Sequence, residues 1–173
     1  SDGRYVVFRC ANSSDWAEGL SGGLDGVFLY DRNTDDISLI SVAKDGTAPD
    51  GNSYNPFISG DGRYVLFSSD ATNLIPNDTN ARTDYFIKDT LTGLISRISE
   101  SADGVESDGD TTKARTKLTE NGGYSIFISG ATNLVTGDTN DAYDIFRVKL
   151  GDNDGISAGE EEVGPNSGDA DED

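Results

Sequence analysis

The chain repeats itself, and that constrains its fold more than any other feature. Residues 59–88 laid on residues 119–148 agree at 13 of 30 positions without a gap, where unrelated segments would agree at about two. The shared residues are Gly62/Gly122, Tyr64/Tyr124, Phe67/Phe127, Ser69/Ser129, Asp84/Asp144 and Phe86/Phe146. Two blocks recur whole: Ala71-Thr72-Asn73-Leu74 as Ala131-Thr132-Asn133-Leu134, and Asp78-Thr79-Asn80 as Asp138-Thr139-Asn140. A first copy opens at the N-terminus, where Asp2-Gly3-Arg4-Tyr5-Val6-Val7-Phe8 parallels Asp61-Gly62-Arg63-Tyr64-Val65-Leu66-Phe67. A unit this short buries its apolar faces only against its neighbours, so the copies must stack.

Each unit reads as short strands punctuated by turns. Gly60-Asp61-Gly62 lies between Pro56–Ser59 and Tyr64–Phe67 and predicts a tight hairpin. Tyr85-Phe86-Ile87 and Leu94–Ile98 predict two more strands, joined by a turn over Asp89–Gly93. Tyr64, Val65, Leu66 and Phe67 are apolar on both faces, which predicts a strand covered on both sides. No stretch keeps a helical period. The expected units are 1–58, 59–118 and 119–149, two full and one partial, followed by a tail over 150–173.

The charge excludes several functions. Thirty-two Asp and Glu against 13 Lys and Arg leave a formal charge of -19, and such a field repels nucleic acid and anionic membrane while attracting cations and basic surfaces. The absence of His and the single cysteine, Cys10, remove His-dependent triads, His-ligated zinc and an internal disulfide. No phosphate-binding or dinucleotide motif is present. No apolar run is long enough to span a membrane, and Ser1 stands inside a repeat, as in a processed product or a part of a longer chain.

With these residues in place, the chain resembles the TolB-like, WD40-like (PD40) β-propeller repeats of bacterial envelope and secreted proteins. The resemblance rests on Ser59 to Phe67, on Ala71-Thr72-Asn73-Leu74, on Asp78-Thr79-Asn80 and on Asp84 to Asp89, and it runs from Ser1 to about Lys149. It implies an all-β fold of four-stranded antiparallel blades. Closed propellers have about four to eight blades, so two and a part are expected to stay open or to be completed by other subunits or by further segments of a parent chain.

The tail is a different kind of sequence, with nine acidic residues and no basic one over 151–173. It resembles calcium repeats of the thrombospondin type 3 kind. With Gly155 at the sixth position of an EF-hand-like loop, Asp152 and Asp154 fall at the third and fifth and Glu161 at the twelfth. Leu150 and Ala158 fill the first and ninth without a side-chain oxygen, so Asp169, Asp171 and Asp173 or a following chain would have to complete the shell. A solvated acidic linker accounts for the same residues. A second set, Asp78, Asn80 and Asp84 with copies Asp138, Asn140 and Asp144, fits Asx-turns or a loop-bound cation; with a cation, both copies should behave alike.

Smaller signals complete the reading. Asn12 and Asn77 head glycosylation triplets, Trp16 reads as a packing aromatic, and Cys10 as a small core residue. The sialidase Asp-box is not matched. The expected function is a non-enzymatic structural scaffold outside the cell, at the cell surface or in the periplasm. Blade faces and strand edges would drive self-association or packing on parent-chain neighbours, as in a surface layer or filament, with Ca2+ as a stabilising divalent cation. The alternatives are a TolB-like binding platform for a protein or polysaccharide, and an accessory domain of a larger hydrolase.

Overall fold

The computed structural model describes residues 3–12, 23–111, 116–140 and 142–150, and the backbone of 159–162. Among them are eleven strands and no helix. The first sheet contains β1 (Tyr5–Cys10), β2 (Gly26–Asp31) and β3 (Asp36–Leu39); the second contains β4 (Ser53–Ile58), β5 (Tyr64–Ser69), β6 (Asp84–Asp89) and β7 (Ile95–Arg97). The third contains β8 (Lys117–Leu118), β9 (Tyr124–Ser129), β10 (Asp144–Lys149) and β11 (Gly159–Glu162). Every pairing is antiparallel and joins sequence neighbours.

The predicted hairpin forms between β4 and β5, with Ile58 opposite Val65. Asp61 accepts the Arg63 amide at 3.0 Å and the Ser59 hydroxyl at 2.5 Å, and Ser59 Oγ accepts the Tyr64 amide at 2.9 Å. The third sheet rebuilds the turn with Asn121 on the Gly123 amide and Thr119 on the Tyr124 amide. Pro56, which has no amide to donate, sits where the β4 register shifts between Tyr54 and Phe57.

Repeat and sheet are out of phase by one strand. The sequence periods start at Ser59 and Thr119, just ahead of β5 and β9, whereas the sheets start at β4 and β8. The strand that closes one sequence unit therefore opens the next sheet. In the third sheet the described pairings of this strand match those of the second: Thr111 bridges Ser129 as Ser53 pairs Ser69, and Lys117 faces Ile126 as Phe57 faces Leu66. At the other edge, Gly159–Glu162 pairs with β10, so residues beyond 149 supply the fourth strand. Gly-Glu-Glu-Glu has neither apolar alternation nor β-branching, and only backbone pairing reveals it as a strand.

Two apolar layers join the sheets. Val27 and Ile40 of the first meet Val65, Phe67 and Phe86 of the second. Leu66, Tyr85, Ile87 and Ile98, on the opposite face of that sheet, meet Phe127, Phe146 and Val148 of the third. All of β5 and β6 is buried, as expected of a sheet between two others.

Candidate functional site

The recurring motifs fasten one sheet to the next. Asp50, in the link from β3 to β4, accepts the Thr72 amide and hydroxyl, both at 2.7 Å, and Asn73 donates to the Ala48 carbonyl at 2.8 Å. Asp108 holds Thr132 in the same way at 2.8 and 2.9 Å, and Asn133 donates to the Glu106 carbonyl at 2.7 Å. The Ala-Thr-Asn-Leu block is thus a clasp on the incoming link. Its Leu74 and Leu134 are buried in the layers on either side.

A glycine and a tyrosine form a second joint. Gly122 has φ +68°, open to glycine at little cost, and a Cβ there would lie 2.5 Å from Tyr64 Cδ2. Gly62, at φ +79°, is covered by Tyr5 in the same manner. Each sheet therefore seats its tyrosine on the glycine of the following turn. Tyr124 and Gly3 are the outermost members of the series; a Cβ at Gly3 would lie 3.6 Å from the Arg32 side chain.

The uncovered faces carry the same apolar pattern as the covered ones. On the second sheet Tyr64, Leu66 and Tyr85 are 8%, 0% and 0% exposed. Their counterparts on the third, Tyr124, Ile126 and Ile145, are 37%, 36% and 44% exposed. Tyr143 adds to this patch, and Val6 and Ile37 are exposed on the outer face of the first sheet. These side chains are the residue types that the inner layers bury, here partly exposed, with the Arg147 guanidinium 5.2 Å over the Tyr124 ring.

The loops before β6 and β10 hold the other candidates. Asn80 accepts the Arg82 amide at 2.9 Å and donates to Asp84 at 3.0 Å; Asn140 does the same with Ala142 and Asp144 at 2.9 and 3.2 Å. Asx-turns are therefore present in both copies. Beyond the turns the copies differ; the expectation that both behave alike belongs to the reading with a bound cation. In the second sheet Asp84 also accepts the Ser99 hydroxyl at 2.6 Å. The buried Arg97 donates to Glu106 at 2.7 Å, lies 3.4 Å from Glu100 and stands 3.7 Å from Asp78.

This cluster is charged and poorly solvated. Burial, then the neighbouring Asp84, push the Asp78 carboxyl up to about 6, with Arg97 opposing them. Burial also raises Asp84 against the hydrogen bonds from Ser99 and Asn80, and raises Glu100 against the pull of Arg97. Glu106 is held below its ordinary value: burial works against it, but the Thr79 hydroxyl and amide and Arg97 prevail. Sequence reading missed Arg97 and Glu106, because their motif positions carry no repeat; the register of β7 on β6 would have been the signal.

The remaining expected ligands fall elsewhere. Asp152, Asp154, Asp169, Asp171 and Asp173 lie outside the described residues, as does Trp16. Glu161 stands in β11 opposite Arg147. Among the described residues no group of three or more Asp, Glu, Cys or His side chains is placed to hold a metal ion. Cys10 is half-buried at the end of β1 rather than in the core. A cleft of about 580 Å³ opens beside the clasp of the second sheet, lined by Lys44, Asp45, Thr72, Ile75, Pro76 and Asn77 among others.

No family model matches the sequence, and no curated protein does. Among solved structures, the putative TolB from Agrobacterium tumefaciens is similar over 93% of this chain and 45% of its own, with TM-score 0.53 and 13% identity. TolB from Acinetobacter baumannii aligns over 91% of this chain and 29% of its own at TM-score 0.46 and 15% identity, and the tricorn protease over 86% and 13% at 0.49 and 11%. The chain thus spans less than half the length of each. The fold is that of TolB-like propeller blades. Blade one, two and three are the three sheets above.

Proposed function

We propose that the chain is a blade-stacking structural module that works by joining further blades to its two outer faces. One observation carries this reading: blade three presents Tyr124, Ile126 and Ile145 where blade two buries Tyr64, Leu66 and Tyr85. Gly3 stands at the other end with the left-handed backbone, φ +70°, that receives a tyrosine in both internal joints. The two ends are therefore complementary, which makes the contact heterologous, able to close a ring or continue as a filament. The new blade comes from a second copy or from another segment of a longer polypeptide.

The role is mechanical rather than enzymatic, and its setting is the cell envelope or the exterior, where calcium is available to the acidic tail. What supports the placement is the repeat resemblance and the charge of -19. The cleft beside Thr72 and Pro76 favours a second reading, a loop platform for a protein or polysaccharide.

Sedimentation velocity across a concentration series tests the first reading. The chain should associate, and Tyr124→Asp with Ile126→Asp should return it to monomer without loss of its β-sheet circular dichroism. A monomer at all concentrations, with the outer faces silent to a hydrophobic dye, would overturn it.

A further inference from the structure

The two end faces of the chain differ from the inner joints in charge. At the joint of blades two and three, Ile87 and Val148 meet in one apolar layer. At the joint of blades one and two, Leu29 packs against the layer that blade two supplies. There the buried Lys88, in the position of Val148, turns its ammonium to the Ile40 and Val42 carbonyls, both at 3.0 Å. Among the described residues, neither joint sets a cation against an acid at these positions.

The outer faces change both positions. On blade three the counterpart of Ile87 and Leu29 is Arg147, which stands opposite Ile126 as Ile87 stands opposite Leu66 and Leu29 opposite Val7. Lys149 takes the place of Asp89 opposite the tyrosine and is exposed. Arg147 lies over the Tyr124 ring and has Glu161 in its row on β11, and its five N–H donors allow it several partners at once. On blade one the counterpart of Lys88 and Val148 is Tyr30, opposite Val6 as Lys88 is opposite Val65. Its hydroxyl donates to Asp35 at 2.5 Å, which holds an exposed carboxylate on the outer face beside Ile37.

Stacking in the manner of the inner joints brings these two positions together, because Ile87 and Val148 share a layer there. A cation on one end then faces an acid on the other. Two chains of net charge -19 repel each other at long range, so a local pair of opposite charges sets which faces dock and in which register. We propose, resting on the blade stacking above, that blade one of a second copy of this chain occupies the outer face of blade three. In that contact the Arg147 guanidinium of one copy meets the Asp35 carboxylate of the next. The inner joints hold without such a pair, and its two halves stand on the two free ends, which makes those ends mates of each other in a heterologous contact.

Sedimentation velocity on the full chain at fixed ionic strength tests the pair. Asp35→Lys sets a lysine against Arg147, and Arg147→Asp sets an aspartate against Asp35. Each variant alone should associate about tenfold more weakly than the parent. Mixed in equal amounts, the two should associate as the parent does, because each end of one variant then meets an end of opposite charge on the other. This gain on mixing also shows that both variants are folded. Association of either variant alone at the parental strength, or no gain on mixing, overturns the pair while leaving blade stacking in place. A parent that stays monomeric at every concentration overturns the stacking itself, and the pair with it.

Discussion

Replacing Gly122 by alanine isolates the joint that orders the blades. Two costs are expected. A left-handed φ of +68° penalises any Cβ by about 1–2 kcal/mol. The new methyl would also lie 2.5 Å from Tyr64 Cδ2 and 3.1 Å from Cε2, and forcing an atom into packed surroundings costs about 1–3 kcal/mol more. Gly93→Ala is the control, because Gly93 has φ +72° and nothing within 4 Å of its would-be Cβ. It carries the backbone penalty alone. The change in unfolded-chain entropy is common to both variants and cancels in their difference. Urea unfolding followed by circular dichroism should therefore show Gly122→Ala less stable than Gly93→Ala by roughly 1–3 kcal/mol. In a Tyr64→Ala background that excess should disappear, giving a coupling of the same size. Equal losses for the two glycines would show that the tyrosine is not seated on the turn, and the complementarity assigned to Tyr124 and Gly3 would lose its basis.

The charged cluster of blade two gives two further expectations. Asp78 titrates near 6 in the folded protein against an ordinary 3.8, so the folded form takes up its proton first and stability should rise as pH falls from about 7 to about 4. The rise attributable to Asp78 is at most roughly 3 kcal/mol; Asp78→Asn should abolish it, and equal pH profiles for parent and variant would refute the assignment. Arg97→Leu, the residue of blade one at that position, strips the cluster of its counter-charge and should cost about 3–5 kcal/mol at pH 7, with part of the loss recovered at pH 5 as the carboxyls protonate. Thermal melts at the two pH values measure both effects, and a loss independent of pH would contradict them.

How far the sequence carried the reading depends on whether a feature is local. The β4–β5 hairpin was legible because Gly60-Asp61-Gly62 between apolar runs leaves few other turns, and Ser59 and Asp61 do bind the amides such a turn exposes. Burial of Tyr64 to Phe67 was legible from apolarity on both faces. The clasp was visible as a repeated block, but not its purpose, since the acceptors Asp50 and Asp108 lie more than twenty residues away. Strand β11 was invisible, because three consecutive glutamates carry no signal for a strand whose evidence is its backbone pairing to β10.

The sequence by itself determined that blades recur, that they are sheets, and that their turns and covered strands fall where they do, because hydrophobic period and turn chemistry act over a few neighbouring residues. Tertiary structure alone decided which strand belongs to which sheet, that Arg97 meets Asp78, and that Tyr64 is enclosed while Tyr124 is partly exposed. Charge compensation and burial are properties of whatever lies across a sheet or between two sheets. Identical residues in successive repeats therefore meet different fates according to what packs against them.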